Sequence, residues 1–194
     1  MKKYLLLIAF AGILYSFVKP SESYKVDLNR SKIEWTGRKV TGQHTGEIKL
    51  SSGQLNLNNG KLSSGVFEID MNSMSSTDLS GANATKLLGH LKSDDFFSTD
   101  KNPTSKFTIT KVDYLDENKA SVTGNLIIKG ISNPLTFPAN VKQKNGVLVC
   151  VATGVKVDRT KYDIKYGSKS FIADLGDKAI ANDFEVTITL VAKK

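Results

Sequence analysis

From about residue 24 onward, apolar and polar residues alternate along the chain with a period of two. Residues 184–192 set Phe184, Val186, Ile188, Leu190 and Ala192 against Glu185, Thr187 and Thr189. Phe67, Ile69 and Met71 oppose Val66, Glu68 and Asp70, and Phe107 shares a face with Ile109. Val122, Leu126 and Ile128 fall together, as do Val147, Val149, Val151, Val155 and Val157, and Trp35 anchors an early strand over 32–37. Successive side chains of a strand point to opposite faces, so this period predicts half-buried antiparallel strands. Turn signals separate the runs at Ser52-Gly53, Asn58-Asn59-Gly60, Asp116-Glu117-Asn118, Asn133-Pro134 and Asn145-Gly146. With 47–50, 54–57 and 135–142 added, nine or ten strands are expected. That suffices for an antiparallel barrel or sandwich, since about eight strands close around one small ligand. A filled core and a hollow lumen present the same inward face, so the pattern leaves that choice open.

One stretch breaks the period. In Leu88-Gly89-His90-Leu91-Lys92-Ser93-Asp94-Asp95-Phe96-Phe97 the apolar residues take helical spacing, with Leu87 and Leu88 four and three residues before Leu91. Two aromatics follow the polar run, and His90 is one of only two histidines. A short helix in a strand-rich chain must cover or close something, because isolated helices of this length are marginal in water.

The first residues have the layout of a secretory leader: Met1-Lys2-Lys3, an apolar run over 4–18, then Ser21-Glu22-Ser23. The run has 15 residues, short of the roughly 18 of a membrane-spanning helix. A cut between Ser23 and Tyr24 is expected, with an uncleaved anchor as the alternative. The expectation is a periplasmic or secreted protein, with a leader over 1–23 and one barrel domain over 24–194. The whole chain carries a net charge of +8, and losing Lys2, Lys3, Lys19 and Glu22 with the leader leaves +6. Carboxylates are interspersed with these lysines, as on an ordinary solvated surface; weak contact with anionic lipid surfaces is the sharper alternative. Arginines are not clustered with aromatics, which argues against nucleic acid. Cys150 is the only cysteine, so no internal disulfide forms, and its apolar surroundings over 146–152 make it a small hydrophobe rather than a nucleophile.

Catalytic patterns are missing. Two histidines and one cysteine cannot supply a three-ligand nitrogen and sulfur zinc site without carboxylates. No nucleophile elbow, phosphate loop or dinucleotide-binding glycine pattern is present. His44 lies in a glycine-flanked segment expected to be an exposed turn. Asp94-Asp95 reads as loop or capping chemistry, because adjacent side chains diverge. Neither a metal nor a cofactor is expected, and no catalytic residue is assigned.

The Leu88 to Phe97 block, followed by Asn102-Pro103-Thr104-Ser105-Lys106-Phe107, resembles the signature of the YceI-like family of exported polyisoprenoid-binding proteins. Val122-Thr123-Gly124-Asn125-Leu126-Ile127-Ile128-Lys129-Gly130-Ile131-Ser132-Asn133-Pro134-Leu135 and Asp158-Arg159-Thr160-Lys161-Tyr162-Asp163-Ile164 are similar to later family blocks, and 33–46 to its opening strand. The resemblance spans most of 25–192. It departs at Asp163-Ile164, where many relatives carry Phe-Gly, and in a more basic tail over 168–178. The resemblance implies an all-β, antiparallel, lipocalin-like barrel with one or two short helices. It also implies an apolar tunnel for a polyisoprenoid, an isoprenoid quinone or a fatty-acid derivative, without catalysis. On that reading Trp35, Phe67, Ile69, Phe107, Leu126, Ile128, Val186 and Ile188 line the tunnel. Phe96 and Phe97 either wall it or fix the helix. Arg38, Lys39, His90 and Arg159 are candidates for an anionic head group, His90 more as a brace than a contact. Two alternatives stand beside the carrier: an envelope protein with a filled barrel, and a lipid-modifying enzyme using His90 with Asp94 or Asp95. A homodimer is left open.

Overall fold

The computed structural model describes residues 21–194; the expected leader lies outside them except for its last three positions. Nine strands form one antiparallel sheet that closes on itself. They are β1 (Glu22–Val26), β2 (Lys32–Lys39), β3 (Gly42–Asn58), β4 (Lys61–Ser76), β5 (Thr104–Tyr114), β6 (Lys119–Ile128), β7 (Ile131–Lys144), β8 (Val147–Asp158) and β9 (Ile180–Lys193), with helix α1 (Gly81–Lys92) between β4 and β5. β1 and β2 both lie between β3 and β9, one continuing the line of the other. Asp27 and Ser31 bridge their gap through hydrogen bonds to the Val191 backbone. The result is a closed eight-stranded, lipocalin-like barrel. β1 already pairs at Glu22 with Leu57, so the expected leader cut after Ser23 falls inside this strand.

Three hairpins are dictated locally. Asn59-Gly60, Lys129-Gly130 and Asn145-Gly146 each place two consecutive residues at φ between +51° and +78°, the backbone that matches the twist of a two-residue hairpin. Other turn signals mislead. Ser52-Gly53 lies within β3, so 47–50 and 54–57 are parts of one long strand bent by bulges. The early hairpin turns at Val40-Thr41, and His44 is a β3 residue opposite Gly37. The valine face expected over 147–157 is also corrected. A bulge between Ala152 and Val155, with Gly154 at φ +64°, shifts the alternation by one. Leu148, Cys150 and Ala152 are therefore buried before it, and Val155 and Val157 after it.

Asn133-Pro134 is not a turn but part of β7, and its proline has a structural consequence. β7 pairs with β8 only over Asn140 to Lys144, leaving 131–139 bonded to β6 alone. The Val141 amide donates to Asn118 on the β6 side, so amides of even-numbered positions would face β8. Pro134 and Pro138 occupy two of those positions and have no N–H to offer, so the seam stays open there. The 3-10 turn Arg159–Tyr162 spans it, held by Asn133 Nδ2 donating to the Lys161 carbonyl at 2.9 Å.

Antiparallel order puts successive connections at opposite ends of the barrel. The hairpin end carries Asn59-Gly60, 115–118 and Asn145-Gly146; the mouth end carries 40–41, α1 with its flanks, 129–130 and the long segment 159–179. The hairpin end is filled by Tyr24, Leu57, Leu148 and Ala192, each at most 1% exposed. Gln143 donates to the Tyr24 hydroxyl and the Leu62 amide to the Tyr114 hydroxyl, satisfying both phenols. At the mouth end β4 pairs with β5 only over Gly65 to Asp70. α1 covers the residual edge, with Lys92 Nζ donating to the Asn72 carbonyl at 2.7 Å. α1 has no buried residue, as befits a cover rather than a core element.

Candidate functional site

Beyond that filled layer the barrel is hollow, from Leu62, Val141 and Cys150 near the hairpin end to Trp35 and Phe184 near the mouth. The lumen encloses about 220 Å³, room for more than a dozen water positions at roughly 10–15 Å³ each. Its wall has few polar atoms, and those are engaged or inert. Ser105 Oγ donates to Met71 Sδ at 3.0 Å, and Trp35 Nε1 donates to the Glu47 carbonyl at 3.3 Å. Burial pushes the Cys150 thiol up to about 12, so it stays protonated and unreactive. Water needs several polar partners to occupy a buried space, so this one favours an apolar occupant.

Trp35, Phe67, Ile69, Phe97, Phe107, Leu126, Ile128, Val186 and Ile188 all line the lumen. Trp35, Ile69, Phe97, Val186 and Ile188 point inward yet remain only half-buried, because the area they keep open faces the cavity. Two glycines set the aromatic positions. A Cβ on Gly46 would overlap the Trp35 indole and the Ser75 carbonyl; one on Gly124 would overlap the Phe107 ring and the Thr108 carbonyl. Each ring stands over a bare stretch of the neighbouring strand. Further lining comes from Met71, Met74, Leu91, Phe137 and Phe184. Met71 and Phe184 continue alternating series visible in the sequence, whereas nothing local marks Met74 or Phe137.

The paired aromatics after α1 divide the work. Phe97 walls the lumen and meets Phe184 edge-on at 6.0 Å between centroids. Phe96 does not line it; it is buried among His90 at 5.0 Å, Tyr166 at 5.9 Å and the Arg159 guanidinium at 5.5 Å. Phe96 therefore fixes the segment. His90 stacks edge-on against Tyr166 at 4.5 Å and stands 4.0 Å from Asp95. Asp94 accepts from Ser98 and Lys101, and the Lys101 bond leads in holding its carboxyl below the usual range. These contacts tie loop to loop and present no acid–base pair to the lumen.

The cationic candidates separate. Arg159 is 2% exposed and spends its donors on three carbonyls, Ala181 at 2.9 Å, Ile164 at 2.7 Å and Ile180 at 3.2 Å. That use makes it a strut between the 159–164 turn and the start of β9, with its guanidinium turned into the protein rather than toward solvent. Arg38 is exposed and pairs with Glu185 at 3.0 Å; Lys39 is exposed beside it. Among the described residues no three His, Cys, Asp or Glu side chains are grouped to hold a metal, and no helix is long and apolar enough to cross a membrane.

A closed antiparallel barrel around an apolar lumen, with a helical cover at one end, defines a lipocalin-like protein. The chain belongs to the YceI-like family: the YceI-like domain model matches residues 24–192. Among relatives, a UPF0312 protein of Shewanella denitrificans is 33% identical over 95 residues, 49% of this chain and 48% of that one. The chain thus spans about half the length of that relative. Burkholderia cenocepacia BcnA has a similar structure, with TM-score 0.70, 22% identity, and coverage of 87% of this chain and 99% of that one. A polyisoprenoid-binding domain from Saccharophagus degradans, implicated in plant cell wall breakdown, gives TM-score 0.66, 16% identity, and coverage of 88% and 97%. At these identities the two structures speak to the fold.

Proposed function

We propose that this protein is a non-enzymatic carrier or store for a long apolar lipid, such as a polyisoprenoid, an isoprenoid quinone or a fatty-acid derivative, in the bacterial envelope. The observation that carries this reading is the hollow lumen, walled by inward side chains that remain half-buried. A filled structural barrel would leave no such space. Each methylene moved from water into the lumen contributes about 0.8 kcal/mol, so a chain of moderate length binds without a polar contact. The binding described for the Saccharophagus degradans domain agrees with this choice of ligand class. The leader-like first residues agree with an envelope location.

The test is to purify the protein from a bacterial host, extract it with organic solvent and identify co-purifying lipid by mass spectrometry. A stoichiometric long-chain lipid is expected. If no lipid is recovered and a fluorescent fatty acid is not taken up, the carrier reading falls.

A further inference from the structure

Seven large hydrophobic side chains are exposed among the described residues, and five of them sit at the mouth end: Val40, Ile131, Tyr166, Phe171 and Ile172. Val40 is 56% exposed and Phe171 53%. The exposure of Phe171 and Ile172 does not come from a slack loop. Their amides donate to the Ser168 carbonyl at 3.1 and 2.9 Å, forming a tight turn. Ser168 is fully buried, its hydroxyl bonded to Asn182 of β9 at 2.7 Å, and the Ile180 amide holds Gly167 at 2.8 Å. A turn fastened this firmly, with an aromatic and a branched aliphatic side chain held in water, is built to present them.

Cations lie on the Lys165–Lys169 side of these side chains, while Asp174 and Asp177 are exposed on the other. Lys169 and Ser170 share a surface groove with Arg38, Lys39 and Val40, and the Lys165 ammonium lies 5.3 Å from the Phe171 ring centre. Glu185 matches Arg38 and Asp163 matches Lys165. Lys39 and Lys169 have no ion-pair partner among the described residues. Apolar tips flanked on one side by two unpaired lysines suit the boundary between acyl chains and anionic head groups, where each feature lowers the free energy separately. Tyr166 also touches His90 on α1, so the patch adjoins the cover of the lumen.

We propose that the mouth end docks on an anionic lipid bilayer, inserting Phe171 and Ile172 with Val40 beside them while Lys39 and Lys169 engage the head groups. This deepens the carrier reading and rests on it for its purpose: an apolar cargo leaves a bilayer most readily at a barrel end seated there.

The test uses protein purified from a host that exports it, its N-terminus read by mass spectrometry, in flotation with phosphatidylcholine vesicles with and without phosphatidylglycerol. Binding is expected only with phosphatidylglycerol and is expected to weaken with salt. Phe171→Ser with Ile172→Ser is expected to bind at least about tenfold more weakly. Lys39→Gln with Lys169→Gln is expected to lose about fivefold per charge and to flatten the salt dependence. Circular dichroism checks that both variants remain folded, and a shared N-terminus makes any leader effect common to all. Equal binding to neutral vesicles, unchanged binding by both variants, or a dimer that the Phe171 and Ile172 changes dissolve overturns the proposal. Uptake of a fluorescent fatty acid without vesicles reads the lumen separately. Lost docking with uptake intact sinks this proposal alone; docking intact with neither co-purified lipid nor uptake sinks the carrier reading alone.

Discussion

The two ends of the barrel are made from the same strands with the same alternation, yet they differ in what fills them. At the hairpin end, short turns draw the strands together, and Tyr24, Leu57 and Leu148 occupy the interior completely. At the mouth, β4 outruns β5 and the prolines of β7 keep β8 away, so the wall is partly replaced by α1 and the 159–179 segment. Inward residues there face a lumen instead of one another. Cohesion is therefore concentrated in a plug at one end, and the space runs from that plug to the mouth. A binding barrel needs this division, because a uniformly packed interior has no room for a ligand and a uniformly hollow one has little to hold it folded.

The largest expected effect tests that division directly. Leu148→Ala at the filled end leaves a new cavity and should cost about 3–4 kcal/mol. Ile188→Ala, which enlarges a lumen already present, should cost about 1 kcal/mol, since the side chain has fewer neighbours to lose. Urea denaturation compares the two, and equal losses would abolish the contrast.

Next in size is Arg159→Ala. Three carbonyls, that of Ile164 fully buried, lose their donor, and about 2 kcal/mol of stability should go with them. Lipid uptake by the molecules that remain folded should be unchanged. Intact stability with lost binding of a phosphate-headed lipid would instead make Arg159 a ligand contact. Smaller again is Ile188→Trp, which puts bulk into the lumen. Uptake of a fluorescent fatty acid should fall about tenfold with little change in melting temperature, whereas a filled core would lose about 1–3 kcal/mol to overpacking.

Strand faces that keep strict alternation were legible in the sequence, and those interrupted by a bulge were not. Phe184, Val186 and Ile188 read correctly because β9 runs through them without a shift. β8 did not, since one extra residue near Gly154 reverses the face and no local composition marks where it falls. Nor did the sequence separate Phe96 from Phe97. Adjacent aromatics leave a helix end in different directions, and only the position of Arg159 and Tyr166 decides which one meets the lumen. The family blocks located this region, while the hollow itself emerges from closure of the whole sheet, which no short window of residues reports. Arg159 shows a related limit: a basic residue near a mouth looks like a head-group contact until its carbonyl partners, from two separate segments, are known.

The smallest expected effect concerns how the cover is tied to the barrel. Asp78, just before α1, accepts from His44 Nδ1 at 2.7 Å, the Thr45 amide at 2.9 Å and Ser76 Oγ at 3.0 Å. Burial raises its pKa, but these bonds outweigh that and bring it from the ordinary 3.8 down to about 2. A carboxyl depressed on folding stabilises the protein fully above its unfolded value and loses that contribution as pH falls through its folded value. The side chain is partly exposed, so solvent reduces the contribution to about 1 kcal/mol. Asp78→Asn should therefore be less stable than wild type by about that amount near neutral pH, with the gap closing between about pH 4 and pH 2. Urea midpoints across that range measure it. A gap that persists at pH 2 would mean that the shape of the side chain, not its charge, holds the cover to β3. The Leu148 contrast should survive the same titration, because it rests on apolar burial and cavity volume rather than on charge.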